Sequence, residues 1–294
     1  VTAPRGAGRT LDAAHLGRGR VERYLREHGL APVRRLSQNH LADGAVLEAI
    51  VAEADVRPGE SVVEVGPGLG VLTGALLERG ALVTAVELDR RLAQHLRRRF
   101  AGTAGFRLVE GDFLDLARDA IGEGPWALVA NVPYHITSPI LHLALGREPR
   151  PSRFVLMVQA EVADRIAAAP GAMSYLSVFV QYHADVRVAL PVPAEAFEPA
   201  PEVDSAVLVG ATRPRRIDED SEERLWRLVQ AGFRERRKML RNVLPRQLAG
   251  VSANRIDEAL AQASIDPERR PQTLSVEEWI ALGSALGSAL GPIG

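Results

Sequence analysis

Two apolar runs, Val62-Val63-Glu64-Val65-Gly66-Pro67-Gly68-Leu69-Gly70 and Leu128-Val129-Ala130-Asn131-Val132-Pro133-Tyr134, decide how this chain is read. Each has the pattern of a buried strand, and each ends in residues that burial alone does not explain. The first ends in a glycine-rich turn, where the backbone can bend tightly and approach a ligand that a side chain would strike. The second ends in an amide, a proline and an aromatic ring. Together they predict a site that holds a nucleotide-like cofactor beside a flat, amine-bearing substrate.

The spacing around the first run supports this. Ser61 to Val65 reads as a strand after the Pro58-Gly59 turn, and a helix follows the loop through Leu77. Leu82 to Val86 reads as a second strand that ends at Glu87, with Asp89 beyond. Glu87 stands 21 residues after Gly66. At that separation an acid at the end of the second strand takes the ribose hydroxyls of a bound nucleoside. The loop is not the full dinucleotide fingerprint, because Leu69 and Gly70 follow Gly68. Phe106 to Val109 makes a third strand. Beyond it Asp112 either opens a helix or accepts a hydrogen bond from an adenine amine, with Phe113 or Leu114 packed on the ring.

Ala127 to Ala130, Phe154 to Met157, Leu176 to Tyr182 and Ser205 to Gly210 supply the remaining strands. Strands alternating with helices predict an α/β, doubly wound, Rossmann-like domain with its ligand at the carboxyl ends of the strands. The polar stretch Arg34-Arg35-Leu36-Ser37-Gln38-Asn39-His40-Leu41 precedes a helix-like run from Ala45 to Ala54. It either caps that helix or lines the cofactor pocket; composition does not choose.

The flanks divide the chain into a flexible basic arm over 1–30, the Rossmann-like domain over 31–212, a small all-helical domain over 213–286 and a tail over 287–294. Within the arm, Val21 to His28 could form one or two turns of helix, stopped near Gly29 and Pro32. Residues 211–223 turn polar and mark the boundary. From Leu225 the period becomes helical, with Leu228, Val229, Phe233, Leu240, Val243 and Leu244 on one face and Pro245 ending the run. Ile256 to Ala263 and Val276 to Leu282 predict two further helices.

A chain of 294 residues with 46% hydrophobic and 25% charged residues suits a two-domain globular protein. The absence of cysteine excludes disulfides, cysteine-ligated metal and cysteine nucleophiles. The seven histidines form no metal motif, so the chemistry is expected to need no metal. No run approaches the ~20 apolar residues of a membrane span. The net charge of −1 hides two basic stretches: eight arginines against three acids over 1–40, and ten arginines plus Lys238 against six acids over 213–247. Such local surfaces position a phosphate backbone whatever the total charge. The plain alternative is solvated helix faces, and Lys238 being the only lysine shows that arginine is a general habit here.

At the second run, the residue types suit methyl transfer to adenine. Its exocyclic amine is a poor nucleophile, and alignment with a sulfonium methyl donor lowers the barrier. The Asn131 side-chain oxygen and the backbone carbonyl before Pro133 can accept the amino hydrogens. Pro133 fixes the turn and removes a competing donor. Tyr134 offers a face on which an unpaired base stacks. A buried strand end with Tyr134 in the core is the alternative.

In order along the chain, Ser37-Gln38-Asn39, the glycine loop from Glu64 to Gly70, Val86-Glu87-Leu88-Asp89, Gly111-Asp112 and Asn131-Val132-Pro133-Tyr134 resemble the ribosomal RNA adenine dimethyltransferases. The resemblance runs from about Arg34 to Leu286. It implies S-adenosyl-L-methionine as cofactor, bound by Gln38, Asn39, Leu41, Glu64, Gly66, Gly68, Glu87, Leu88, Asp112, Phe113 and Asn131. Asn131, Pro133 and Tyr134 become the catalytic set. Arg34, Arg35, Arg234, Arg237, Lys238 and Arg241 become RNA contacts.

Four segments are similar to the branch that acts on small-subunit rRNA: 158–165, 201–207, 233–242 and 273–278. That branch implies dimethylation of two adjacent adenosines in the 3′-terminal hairpin of 16S rRNA, on a pre-assembled subunit that the helical domain helps to dock. A cytoplasmic monomer without membrane association is expected. Ser37, and Thr137-Ser138 in that order, lean toward the large-subunit (23S) macrolide-resistance branch, and His40 stands where phenylalanine is usual. A non-catalytic RNA-binding or transcription-factor role is the other alternative, against which Glu87, Asp112, Asn131 and Tyr134 all speak.

Overall fold

The computed structural model describes residues 11–12, 14, 16–31, 38–115, 124–133 and 136–291. After helix α1 (Arg18–Glu27) come β1 (His40–Leu41), α2 (Gly44–Ala54), β2 (Ser61–Val65), α3 (Val71–Glu78), β3 (Leu82–Glu87) and α4 (Arg90–Arg99). The chain continues through β4 (Phe106–Glu110), β5 (Trp126–Asn131), α5 (Thr137–Gly146), β6 (Arg153–Gln159), α6 (Ala160–Ile166), α7 (Tyr175–His183), β7 (Ala184–Val192), β8 (Phe197–Glu198) and β9 (Ser205–Thr212). It closes with α8 (Glu219–Phe233), α9 (Leu240–Gln247), α10 (Ala253–Gln262) and α11 (Val276–Leu286).

Seven strands form one sheet in the order β4-β3-β2-β5-β6-β9-β7. From β4 to β6 every pairing is parallel, and β9 returns antiparallel to β6. The central strands β5 and β6 are almost wholly buried, as parallel strands covered on both faces must be, whereas β4 at the edge is only partly so. Chain order reverses between β2 and β5. That crevice, outside the strands' carboxyl ends, is where open α/β sheets take their ligands. Both runs quoted at the outset end there.

The fold comprises two units: residues through 163 with 187–212, and 164–186 with 213 onward. The second has its own core, in which Trp279, Leu228 and Leu260 are fully buried. Residues 164–186, expected within the Rossmann-like domain, group with the helices. The strand expected over Leu176–Tyr182 is corrected to α7, which a reciprocal Ser174–Ser177 capping box starts. A short run of leucine, valine and aromatics carries no period that separates a strand from a buried helix.

Three further expectations change. The helical turns expected from Val21 to His28 are α1, which starts earlier, at Arg18, and buries Val21, Tyr24 and Leu25 in the sheet domain's core, so this part of the 1–30 span is no flexible arm. The helical run from Leu225 is two helices split by a turn over 234–239, and Pro245 sits inside α9 rather than ending it. Near the terminus, residues 287–290 form a 3₁₀ turn whose Leu290 is buried and whose carbonyl accepts from Arg227.

Candidate cofactor and substrate site

Lining one cavity are Gln38, Asn39, His40 and Leu41 before α2, the loop after β2, Glu87 and Leu88 after β3, Asp112 and Phe113 after β4, and Asn131 to Pro133 after β5. The two runs meet physically: a Cβ on Gly66 would lie 3.7 Å from Pro133 Cδ. Gly66 and Gly68 hold φ of 67° and 58°, in the left-handed region, so the loop takes a shape other residues resist. A Cβ on Gly68 would stand 3.3 Å from His40 Nδ1, which keeps that wall bare.

The described part of the polar stretch before α2, Gln38 to Leu41, lines the pocket. Asp43 caps α2, accepting from Ala45 N at 2.8 Å and Val46 N at 3.1 Å. The cap is therefore Asp43, and Gln38 and Asn39 line the cavity instead. Gln38 Nε2 donates to Asp89 Oδ2 at 3.1 Å, and Asp89 caps α4 through Arg91 N. Arg91, then Gln38, hold the Asp89 carboxyl down to about 2.

Glu87 is 5% exposed, and its carboxylate accepts from Gly68 N at 3.1 Å and Asp89 N at 2.8 Å. The acid after β3 therefore sets the glycine loop as well as facing the cavity. Each carboxylate oxygen has a second lone pair for a ligand hydroxyl. Burial raises the Glu87 pKa against those hydrogen bonds. Glu64, 1% exposed, accepts from Thr73 Oγ1 at 2.6 Å; burial, with Glu87 adding to it, pushes it up to about 8. It is a neutral acid at pH 7. Leu114 N donates to Asp112 Oδ1 at 2.9 Å, which orients that carboxyl, while Phe113 is buried and Leu88 is 53% exposed.

Asn131 Nδ2 donates to the Asn39 carbonyl at 3.3 Å, so its Oδ1 remains as an acceptor. Val132 N donates to Met157 O and Ile136 N to Pro133 O, both at 3.1 Å, which anchors the turn on either side. Tyr134, Arg34 and Arg35 lie outside the described residues.

The chain's motifs did not disclose Phe197. On β8, it reaches the cavity because β8 pairs antiparallel with β1 in the register Leu41↔Phe197. No local signal marks it. His40, within the polar stretch, lines the cavity too; burial lowers its pKa to about 4, so the ring is neutral.

In the helical unit, Arg234 Nη1 donates to Gln247 Oε1 at 3.0 Å and Arg241 pairs with Glu268 at 2.9 Å. Arg237 and Lys238, in the turn between α8 and α9, are exposed and make no ion pair among the described residues. Arg236 beside them is exposed as well.

A family model described as ribosomal RNA adenine dimethylase matches residues 33–282. A curated relative, ribosomal RNA small subunit methyltransferase A of Moorella thermoacetica, is 43% identical over 91% of this chain and 97% of its own. The protein of the same name from Geobacter sulfurreducens is 41% identical over 92% of this chain and 100% of its own. Among solved structures, the 23S rRNA methyltransferase ErmE superposes with a TM-score of 0.69 at 29% identity, covering 84% of this chain and 99% of that one. A dimethyladenosine transferase from Plasmodium falciparum shares the fold, with a TM-score of 0.70 at 22% identity over 83% of this chain and 95% of that one.

Proposed function

Because the chain belongs to the ribosomal RNA adenine dimethylase family, we propose that it transfers methyl groups from S-adenosyl-L-methionine to the N6 amines of two adjacent adenosines in the 3′-terminal hairpin of 16S rRNA. One observation carries the reading: the glycine loop and the Asn131–Pro133 turn converge on a single cavity at the point where strand order reverses.

The cavity fits that cofactor. Glu87 presents acceptors for ribose hydroxyls and Asp112 one for an adenine amine, with Leu88 and Phe113 as apolar faces for the purine. Gly66 and Gly68 leave the opposite wall open to close approach. When bound there, the cofactor supplies an electrophilic methyl carbon on a sulfonium leaving group.

The protein's share is alignment. Asn131 Oδ1, with its amide nitrogen committed to Asn39, accepts one amino hydrogen of the target adenine, and the Val132 carbonyl before Pro133 accepts the other. Both bonds favour a pyramidal nitrogen whose lone pair faces the methyl carbon. No general base is needed, because the alkylated nitrogen turns acidic and sheds its proton to water. Tyr134 follows Pro133 and serves as the stacking face for the base.

The small subunit is favoured because relatives named for it align over about nine-tenths of this chain. The exposed turn Arg236-Arg237-Lys238 supplies phosphate contacts for a folded RNA surface. The protein works as a monomer in the cytoplasm on a pre-assembled small subunit. The 29% identity with ErmE keeps a 23S target as the second reading.

The test incubates the protein with tritiated S-adenosylmethionine and unmodified small subunits, large subunits or naked rRNA, then maps the label. Label on paired adenosines near the 3′ end of 16S rRNA in the subunit is expected. Label confined to 23S rRNA would replace this reading with the second one.

A further inference from the structure

Behind the glycine loop, outside the cavity lining, lies a polar cluster that the proposed chemistry does not use. Arg99, in the last turn of α4, donates from Nη1 to the Leu69 carbonyl at 2.5 Å and from Nη2 to the Leu11 carbonyl at 2.6 Å. Leu11 is 1% exposed and belongs to the sheet domain's core. The Tyr24 hydroxyl of α1 lies 3.3 Å from His95 Nε2. Tyr24 in turn stacks on His28 with ring centroids 4.0 Å apart.

The loop is pressed onto the same helix. Gly70 has φ of 76°, and a Cβ there would stand 2.7 Å from Phe100 Cε2 and 2.8 Å from Leu96 Cδ2. No side chain but hydrogen fits that space. Neighbouring Arg97 pairs with Glu110, and Arg98 is exposed to water. Arg99 points inward instead, although burial disfavours its charge. Burial, then the charges of His28, Arg99 and Arg98, holds His95 down at about 4, so its ring is neutral and adds no second cation to the cluster.

We propose that Arg99 is a positioning residue for the cofactor site: by bridging the Leu11 and Leu69 carbonyls it makes the N-terminal segment a brace for the loop from Gly66 to Gly70. The proposal rests on the cofactor reading of that loop. A loop with three glycines has many conformations to lose on binding, and a residue that selects the binding conformation beforehand raises affinity without touching the ligand. The brace therefore acts on cofactor affinity. It leaves the alignment at Asn131 alone.

Isothermal titration calorimetry with S-adenosylmethionine, paired with steady-state kinetics on small subunits, tests this. Arg99→Met should raise the cofactor Kd and KM by about tenfold, while kcat at saturation and the KM for RNA stay put. Arg99→Lys, which reaches one carbonyl at a time, should recover part of the loss.

Wild-type affinity in a folded Arg99→Met protein would overturn the proposal. So would a fall in kcat with the cofactor KM unchanged. Should Arg99→Met fail to fold, Arg99→Lys decides by the same two readouts. If the unaltered protein binds no S-adenosylmethionine, the cofactor reading itself fails, which is a distinct result.

Discussion

Asn131 and Asn39, 92 residues apart, are joined by a hydrogen bond of 3.3 Å from the Asn131 amide nitrogen to the Asn39 carbonyl. That bond settles which end of the amide is available to a substrate. Asn131→Ala removes the acceptor and should lower kcat roughly 10²-fold or more, with folding intact. Asn131→Asp is the sharper variant. It keeps an acceptor but sets a carboxylate against the Asn39 carbonyl, so the side chain should swing away and activity should fall comparably. Single-turnover methylation rates of the two proteins decide; near-normal turnover of Asn131→Ala removes Asn131 from the mechanism, and near-normal turnover of Asn131→Asp would show that the acceptor needs no anchor on Asn39.

Glu87 shapes the loop and faces the cavity at once, through Gly68 N at 3.1 Å and Asp89 N at 2.8 Å. Glu87→Ala should weaken S-adenosylmethionine binding by about 10- to 100-fold, because the ribose hydroxyls lose their acceptors and the loop slackens. Glu87→Gln retains one acceptor and should fall between. Calorimetry on the three proteins gives the order directly, and equal affinities would reject the ribose contact.

Glu64 makes stability depend on pH in an identifiable direction. Burial, with Glu87 adding to it, raises its pKa from 4.5 to about 8. Between those values the unfolded chain gives up the proton and the folded chain keeps it, so the contribution is full below 4.5 and is lost as pH rises through 8. Glu64→Gln has no such dependence. Its stability relative to the unaltered protein should climb from pH 4.5 to 8, on the order of a few kcal/mol, and level off above. Urea unfolding of the cofactor-free proteins at several pH values measures it. His40 and His95, both lowered to about 4 by burial, act oppositely: each costs stability as pH falls from about 6.5 toward 4. They are common to both proteins and cancel. A cationic ligand near Glu64 favours its ionised form, so cofactor affinity should rise toward pH 8, and Glu64→Gln should flatten that rise. An unchanged pH profile would refute the coupling.

The residues that were legible in the sequence owe it to local chain order. Gly66 and Gly68 follow an apolar strand directly, Glu87 ends the next one, and Asn131 ends a third. A parallel sheet delivers all three strand ends to one edge, so motif spacing maps onto space. Phe197 was invisible because a two-residue pairing with β1 brings it in from far along the chain. Arg99 was invisible because an arginine at a helix end is ordinarily solvated, and only the folded positions of the Leu11 and Leu69 carbonyls give it inward partners. For α7, side-chain propensity favoured a strand, yet the Ser174–Ser177 capping box and burial in the helical unit made it a helix. At the N-terminal segment the helical turns from Val21 were legible, but the burial of Val21, Tyr24 and Leu25 was not, because glycine and arginine dominate the composition around them.

Arg237 and Lys238 offer the cleanest test of the helical unit, because neither supports the fold through an ion pair among the described residues. Arg234 and Arg241 differ, being engaged with Gln247 and Glu268. Reversing the first two charges with Arg237→Glu and Lys238→Glu should leave the melting temperature and cofactor affinity unchanged. Subunit binding should weaken, and the slope of log K against log salt should shrink by about one for each phosphate no longer neutralised. Reversing Arg241 should instead cost some stability, since a like charge would face Glu268. Filter binding across a salt series separates the outcomes. If the slope holds while binding persists, the turn between α8 and α9 is a solvated surface and the RNA contacts lie elsewhere.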